Sequence, residues 1–249
     1  MISIIIRTKN EGHWLARCLT SVSMQDYPEY EVILIDNASE DDSQAVGERF
    51  GCRILEITDD EYSHGRALNL GIEHAQGEFV AILSGHCIPV HDHWLSALAA
   101  HFGDPKVVGV YGRQVPLPDS DPFDKRDLWT TFGIERRVQK TDYFFHNANS
   151  MIRRETWKRQ PFDDSINGVE DRDWAKKVLA WGFCIVYEPL AVVHHYHGIH
   201  QGRDTNRAER VVRVIEMING ATTLPDLDWT KEAHSKKDQV ASSRSDAKT

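Results

Sequence analysis

Cysteine is scarce: Cys18, Cys52, Cys87 and Cys184 are the only four in 249 residues, and no two form a CxxC pair. That spacing excludes a disulfide framework and a structural zinc site of the usual kind, and predicts reduced thiols. Basic charge is also short, with 29 Lys and Arg against 38 Asp and Glu and a formal net charge of -9. Such a balance offers no positive field for nucleic acid and no polybasic anchor for an anionic bilayer. Long apolar runs are missing too. The opening ISIII stretch ends at Arg7, too soon for a signal-peptide core or a bilayer span, so the sequence predicts a cytoplasmic protein with no transmembrane segment. Neither an internal repeat nor a glycine-rich phosphate loop is found; RTKNEG follows the first apolar run instead.

What is present is alternation. Apolar, β-branched runs at 2–6, 31–35, 53–57, 79–83 and 107–111 are separated by stretches of helical period. In the first of these Trp14, Leu15, Cys18, Leu19 and Val22 recur at helical spacing, with Asn10 placed to cap the start. Further helices are predicted near 41–50, 65–76 and 92–102. Strand-helix-strand order demands crossovers, hence an α/β fold with a Rossmann-like, mostly parallel sheet flanked by helices on both faces. Ligands of such sheets bind beyond the carboxyl ends of the strands, where Arg7 to Asn10, Asp36 to Ser39 and Ser84 to His86 fall. Past residue 115 the alternation weakens into PLPDSDPFD, a segment holding Trp129, Phe132, Phe144 and Phe145, and a second compact run from NSMIRRETW to HHYHG. The reading is a single domain over 1–220, divided at 115, with a polar flexible tail at 221–249.

Two polar groupings carry candidate chemistry. Glu170 and Asp171 follow Asn167 and open a helix whose apolar residues Trp174, Val178, Leu179 and Trp181 run to Gly182. Carboxylates in a first helical turn are held ionised by the helix dipole, as a general base requires, or serve only as end caps. Downstream, VVHHYHGIHQGR holds His194, His195, His197 and His200. On a strand His195 and His197 share a face, which suits a metal site, a phosphate clamp or a polar strand end. At the other strand ends, Asn10 reads equally as helix cap or ligand contact, and Ser39 as a helix cap.

In order, IIIRTKNEGHWLARCLTSVSMQDYPEYEVILIDNASEDDS, then HGRALNLGIEHAQGEFVAILSGHCIPVHDHWL, then NSMIRRETW with VEDRDWAKKVLAWGF, resemble family 2 glycosyltransferases of the GT-A fold over roughly residues 1–200. The wording of DNASEDDS, SHG...NLGI and the IP...WL turn is closest to the rhamnosyltransferase-like branch. The resemblance implies an inverting, hexosyltransferase-like enzyme of glycan or polysaccharide synthesis, with a nucleotide-sugar donor and a glycan, lipid-linked or protein hydroxyl acceptor. It implies a nucleotide-binding half over 1–115 and an acceptor-binding half over 116–220. Thr8, Asn10, Asp36, Asn37, Arg66, Asn69 and Ser84 would bind the nucleotide, and Asp171 would act as general base beside Glu170. An arginine often precedes the family's asparagine; here Leu68 stands there and Arg66 lies two residues earlier. The DxD carboxylates are replaced by Ser84-Gly85-His86. The implied divalent cation would then sit on His86 with His195 or His197, and Mn suits imidazole nitrogen better than Mg does. Arg203 and Arg207 could close over the diphosphate. Three alternatives stand beside this reading: a metal-independent site, an enzyme that has lost activity, and a non-catalytic nucleotide- or sugar-binding protein on the same scaffold. A sugar-1-phosphate nucleotidyltransferase is disfavoured by the missing glycine-rich loop.

Overall fold

The computed structural model describes residues 1–166, 168–198 and 205–219. Asn167, His200, Arg203 and the segment 221–249 lie outside the described residues, as does the side chain of Arg207. One compact unit spans Met1–Val214, and a second begins at Ile215. Among the described residues no helix is long and apolar enough to cross a membrane.

The first half alternates as its apolar periods predict: β1 (Ile2–Thr8), α1 (Gly12–Ser23), β2 (Tyr30–Asp36), α2 (Ser43–Arg49), β3 (Arg53–Glu56), α3 (His64–His74) and β4 (Phe79–Ser84). Then come β5 (Cys87–Pro89), α4 (Trp94–Ala99), β6 (Val107–Pro116), α5 (Pro122–Thr131), β7 (Arg137–Gln139), β8 (Asn149–Arg153), α6 (Arg154–Arg159), α7 (Glu170–Ala180), β9 (Cys184–His195) and α8 (Thr205–Asn219). The nine strands form one sheet in the order β3-β2-β1-β4-β8-β6-β9-β5, with β7 paired to β9. Strands β1 to β4, β6 and β9 share one direction, and β5, β7 and β8 run against them.

Strand alternation sends successive side chains to opposite faces, and helices cover both. On one face Ile4, Ile6, Leu34, Ala81 and Leu83 meet Leu15, Cys18, Leu19 and Val22 of α1 and Trp94, Leu95 and Leu98 of α4. On the other, Ile5, Ile33, Ile35 and Ile82 meet Ala67, Leu68 and Ile72 of α3 and Trp174, Val178 and Leu179 of α7. Each such Val, Leu or Ile side chain contributes about 1.5–3 kcal/mol when fully buried. Phe132 and Phe145 join this second core, Phe144 packs on its edge, and Trp129 is exposed.

Two helix starts differ from expectation. Helix α1 is preceded by Glu11, which makes no side-chain cap bond. Asn10 instead adopts a left-handed φ of 52°, and its Oδ1 accepts the Glu40 amide. Nor does Ser39 cap a helix: α2 starts after Asp42, and the Ser39 hydroxyl accepts the Asn10 amide. Both residues tie the β1 and β2 end loops together, a long-range bond that helix periodicity does not encode.

Strands β6 and β9 are parallel with two irregularities, a small one between Val107 and Gly109 and a larger one after Gly112. Gly112 pairs with Glu188 but the next residue, Arg113, pairs with Val192, so residues 189–191 bulge out of the ladder. A Cβ at Gly112 would run into the Ala191 carbonyl and the Asn149 amide. Beyond the bulge, β9 continues between β6 and β5 and brings His195 opposite Cys87.

Candidate active site

The parallel register sets Thr8 beside Asp36 and Arg7 beside Ser84, so three strand ends finish level. Backbone bonds stitch their loops: the Asn37 amide donates to the Thr8 carbonyl and the Gly85 amide to the Arg7 carbonyl. Asp36 is fully buried, and its Oδ2 accepts from the Ser39 amide at 3.0 Å and the Gln44 amide nitrogen at 2.9 Å. Its Oδ1 has no protein partner, and neither do Thr8 Oγ1, Asn37 Oδ1 or the Nε and Nη1 of Arg7. Leaving such buried groups unpaired costs about 1–3 kcal/mol each. A row of them at strand ends marks a place where a polar ligand completes the bonding.

Next to this row lies a cavity of about 90 Å³ lined by Arg7, Ser84, His86, Glu170, Asp171 and His195, with His64, His146, Asn147 and His197 also on its wall. A second, of about 120 Å³, shares Arg7, Ser84 and His86 and adds Thr8, Lys9 and Glu11. Gly85 keeps the junction narrow: a Cβ there would stand 3.0 Å from a Glu11 carboxylate oxygen and 3.1 Å from Thr8 Oγ1.

Three imidazoles meet in the first cavity. The rings of His86 and His195 stack with centroids 5.0 Å apart, and His197 lies 4.5 Å from each. His86 Nδ1 contacts Glu11 Oε1 at 2.5 Å, His195 Nδ1 contacts Gln114 Oε1 at 2.7 Å, and the two Nε2 atoms face each other at 3.1 Å. The Cys87 sulfur lies within 4.8 Å of a nitrogen of each. Burial pushes that thiol well above its ordinary range, so it stays protonated. Two nitrogens bound to one borderline ion at about 2.1 Å, with angles between tetrahedral and square, stand about 3.0–3.4 Å apart. The spacing and donor type therefore fit a divalent cation.

Glu170 and Asp171 form the first turn of α7 and are both buried. Asp171 Oδ2 accepts the Asn147 amide at 3.1 Å and its Oδ1 the Arg172 amide at 2.8 Å. Glu170 Oε1 receives the Asn147 side-chain amide at 3.3 Å. Burial, reinforced by the adjacent Glu170 carboxylate, raises the Asp171 carboxyl to about 7. A carboxyl so placed is half ionised near neutrality, where a general base is most effective.

The structure thus gathers Ser84, His86, Glu170, Asp171, His195 and His197 around one cavity, with Thr8 on the adjoining one and Asp36 and Asn37 at the neighbouring strand end. It does not bring Arg66 or Asn69 there. Arg66 pairs at 3.7 Å with Asp164. Asn69 is saturated: its amide nitrogen donates to the Phe162 carbonyl and Asp164, and its oxygen accepts from Trp157 and the Phe162 amide. Both line a separate cavity. Asn10 is exposed, with its oxygen committed to Glu40. Sequence reasoning set Arg7 at a ligand-facing strand end without giving it a role, and missed Glu11, Gln114 and Asn147 as site residues. Glu11 was open to detection, since it closes the same strand-end segment; Gln114 becomes visible only through the β6–β9 register.

A mixed α/β sheet with unsatisfied polar atoms at its parallel strand ends, beside paired carboxylates, is the arrangement of a ligand-binding α/β fold, and its solved neighbours are GT-A glycosyltransferases. A mannosyltransferase from Pyrobaculum calidifontis in complex with GDP-Man and Mn2+ matches with a TM-score of 0.64 at 22% identity, over 86% of this chain and 64% of that one. Staphylococcus aureus TarS 1-349 with UDP-GlcNAc gives 0.64 at 18% identity, over 90% and 68%. In sequence, the glycosyl transferase family 2 model matches residues 3–159, and the chain belongs to that family. Similar curated proteins are glycosyltransferase AglE of Haloferax volcanii, 26% identical over 81% of this chain and 67% of its own length, and O-antigen chain rhamnosyltransferase RfbN of Salmonella typhimurium, 26% identical over 79% and 66%. The chain spans about two thirds of the length of these relatives.

Proposed function

We propose that the protein is an inverting glycosyltransferase that moves a sugar from a nucleotide-sugar donor to a hydroxyl acceptor in glycan synthesis. The observation that carries this reading is Asp171: a buried carboxyl raised to about 7, in the same cavity as an arginine and an imidazole cluster. The nucleoside occupies the strand ends of residues 1–115, where Thr8 Oγ1, Asp36 Oδ1 and Asn37 Oδ1 await donors. The acceptor enters from residues 116–220.

In a single displacement, Asp171 takes the acceptor hydroxyl proton while the acceptor oxygen bonds to the anomeric carbon. The bond from that carbon to the diphosphate breaks with its electron pair, and the nucleoside diphosphate departs. Arg7 faces the charge that develops on it. Glu170 and Asn147 fix Asp171: one raises its proton affinity and the other orients its oxygen. His86 and His195, with His197 beside them, would hold a divalent cation, which supplies positive charge to the leaving diphosphate. Mn is the preferred ion on the nitrogen donors, and the Pyrobaculum mannosyltransferase, solved with GDP-Man and Mn2+, supports that choice. Both likeness to named transferases and the intact carboxylate pair support an enzyme over a binding module.

Replacing Asp171 by Asn tests the reading. Sugar transfer is expected to fall about a hundredfold to ten-thousandfold with nucleotide affinity by calorimetry unchanged. Transfer at the parent rate would remove Asp171 as the base.

A further inference from the structure

Five contacts run in series behind the imidazole pair, and their order of donors and acceptors is forced from one end. The Ala148 backbone amide can only donate, and it points at His146 Nδ1 at 3.3 Å. His146 Nδ1 must therefore be an acceptor. Gln114 also contacts His146 Nδ1, at 3.1 Å, so it presents its NH2 there and its carbonyl oxygen on the other side. That oxygen meets His195 Nδ1 at 2.7 Å and requires a proton on it. His195 Nε2 is consequently left as a lone pair, aimed at His86 Nε2 at 3.1 Å. At the far end the Glu11 carboxylate, an acceptor when ionised, draws the proton of His86 to Nδ1. With His86 neutral, two nitrogen lone pairs then face each other, and the contact is completed by a positive centre between them, either a bound cation or a second proton on His86.

We infer that Gln114 is a positioning residue: anchored through His146 to a backbone amide, it holds His195 in the Nδ1–H tautomer and turns both Nε2 atoms toward a single cation. Gln114 is fully buried, as an amide with a fixed orientation requires. Its role follows the pattern in which the ring nitrogen not bound to metal donates to a neighbouring oxygen, fixing tautomer and ring direction. The use assigned to this tautomer rests on His86 and His195 as cation ligands. The tautomer itself does not.

The test has two arms. Nitrogen-15 NMR of histidine-labelled protein, stripped of metal with EDTA, reads which ring nitrogen of His195 carries the proton; Nδ1–H is expected. Mn binding, read by the loss of free-ion EPR signal, is expected to weaken about tenfold to a hundredfold in Gln114→Met, which removes both contacts. Gln114→Glu still offers an oxygen to His195 Nδ1–H and is expected to bind Mn within about threefold of the parent. A merely structural Gln114 would damage both variants alike. An Nε2–H proton on His195 in the parent, or parent-like Mn affinity in Gln114→Met, overturns the inference. A parent that binds no Mn yet shows the Nδ1–H tautomer overturns instead the cation reading, and with it the use assigned to Gln114.

Discussion

Single atoms decide most at this site, and Thr8 gives the cleanest case. Its hydroxyl is buried and has no protein partner, so its removal breaks nothing inside the protein. Thr8→Val keeps the β-branched shape, and the melting temperature is expected to hold or rise by a few degrees, because an unsatisfied polar group is lost. Nucleotide affinity should fall about fivefold to thirtyfold, corresponding to one lost hydrogen bond of about 1–2 kcal/mol. Calorimetry showing parent affinity would take Thr8 out of the site. Asp171 sets a pH dependence as well. The base is the carboxylate, so kcat/KM should climb as pH rises through about 7 and level off above it; a flat profile from pH 6 to 8 would contradict its assignment. Stability runs the other way. Between the unfolded value of 3.8 and about 7 the folded protein holds a proton that the unfolded chain has released. Folding therefore weakens as pH rises across that window.

Elements explain what was legible. Apolar runs such as ISIII and FVAIL announce β1 and β4 because buried parallel strands need continuous hydrophobicity, and Trp174, Val178 and Leu179 announce α7 by their spacing. The three-residue strands β5 and β7 are too short to show a period. Glu170, Asp171, His86 and His195 stood out as residue types at strand or helix ends. Gln114, inside an apolar β6, carried no local signal; only a neighbouring strand gives it a role. Arg66 and Asn69 were read from their order along α3, and sequence order does not show that their side chains engage the 157–164 segment. The bulge in β9 is likewise invisible in sequence, and Gly112 is its condition. In Gly112→Val the new side chain meets backbone at Ala191, so the protein should lose about 1–3 kcal/mol or more in urea denaturation. Unchanged stability would mean that the bulge is adjustable.

For the whole molecule, donor and cation should act together on one folded unit. Thermal unfolding with UDP, GDP, dTDP or CMP, each with and without Mn, is expected to show one nucleotide stabilising most, and more with Mn; ligand at a hundred times its Kd adds about 2.7 kcal/mol. Indifference to every combination at millimolar concentration would favour a protein that does not use nucleotide sugars. The placement of β9 has a further result, in time rather than in space. His86 and His195 are separated by 109 residues, and among the described residues β5, which follows His86, pairs only with β9. At a synthesis rate of about 5–20 residues per second, His86 waits about 5–20 s for its counterpart to leave the ribosome. Throughout that interval the nascent chain holds one ring of the pair and an unpaired edge beside it, so the imidazole pair comes into being only when β9 is inserted, and the proposed cation cannot be held by both rings before then.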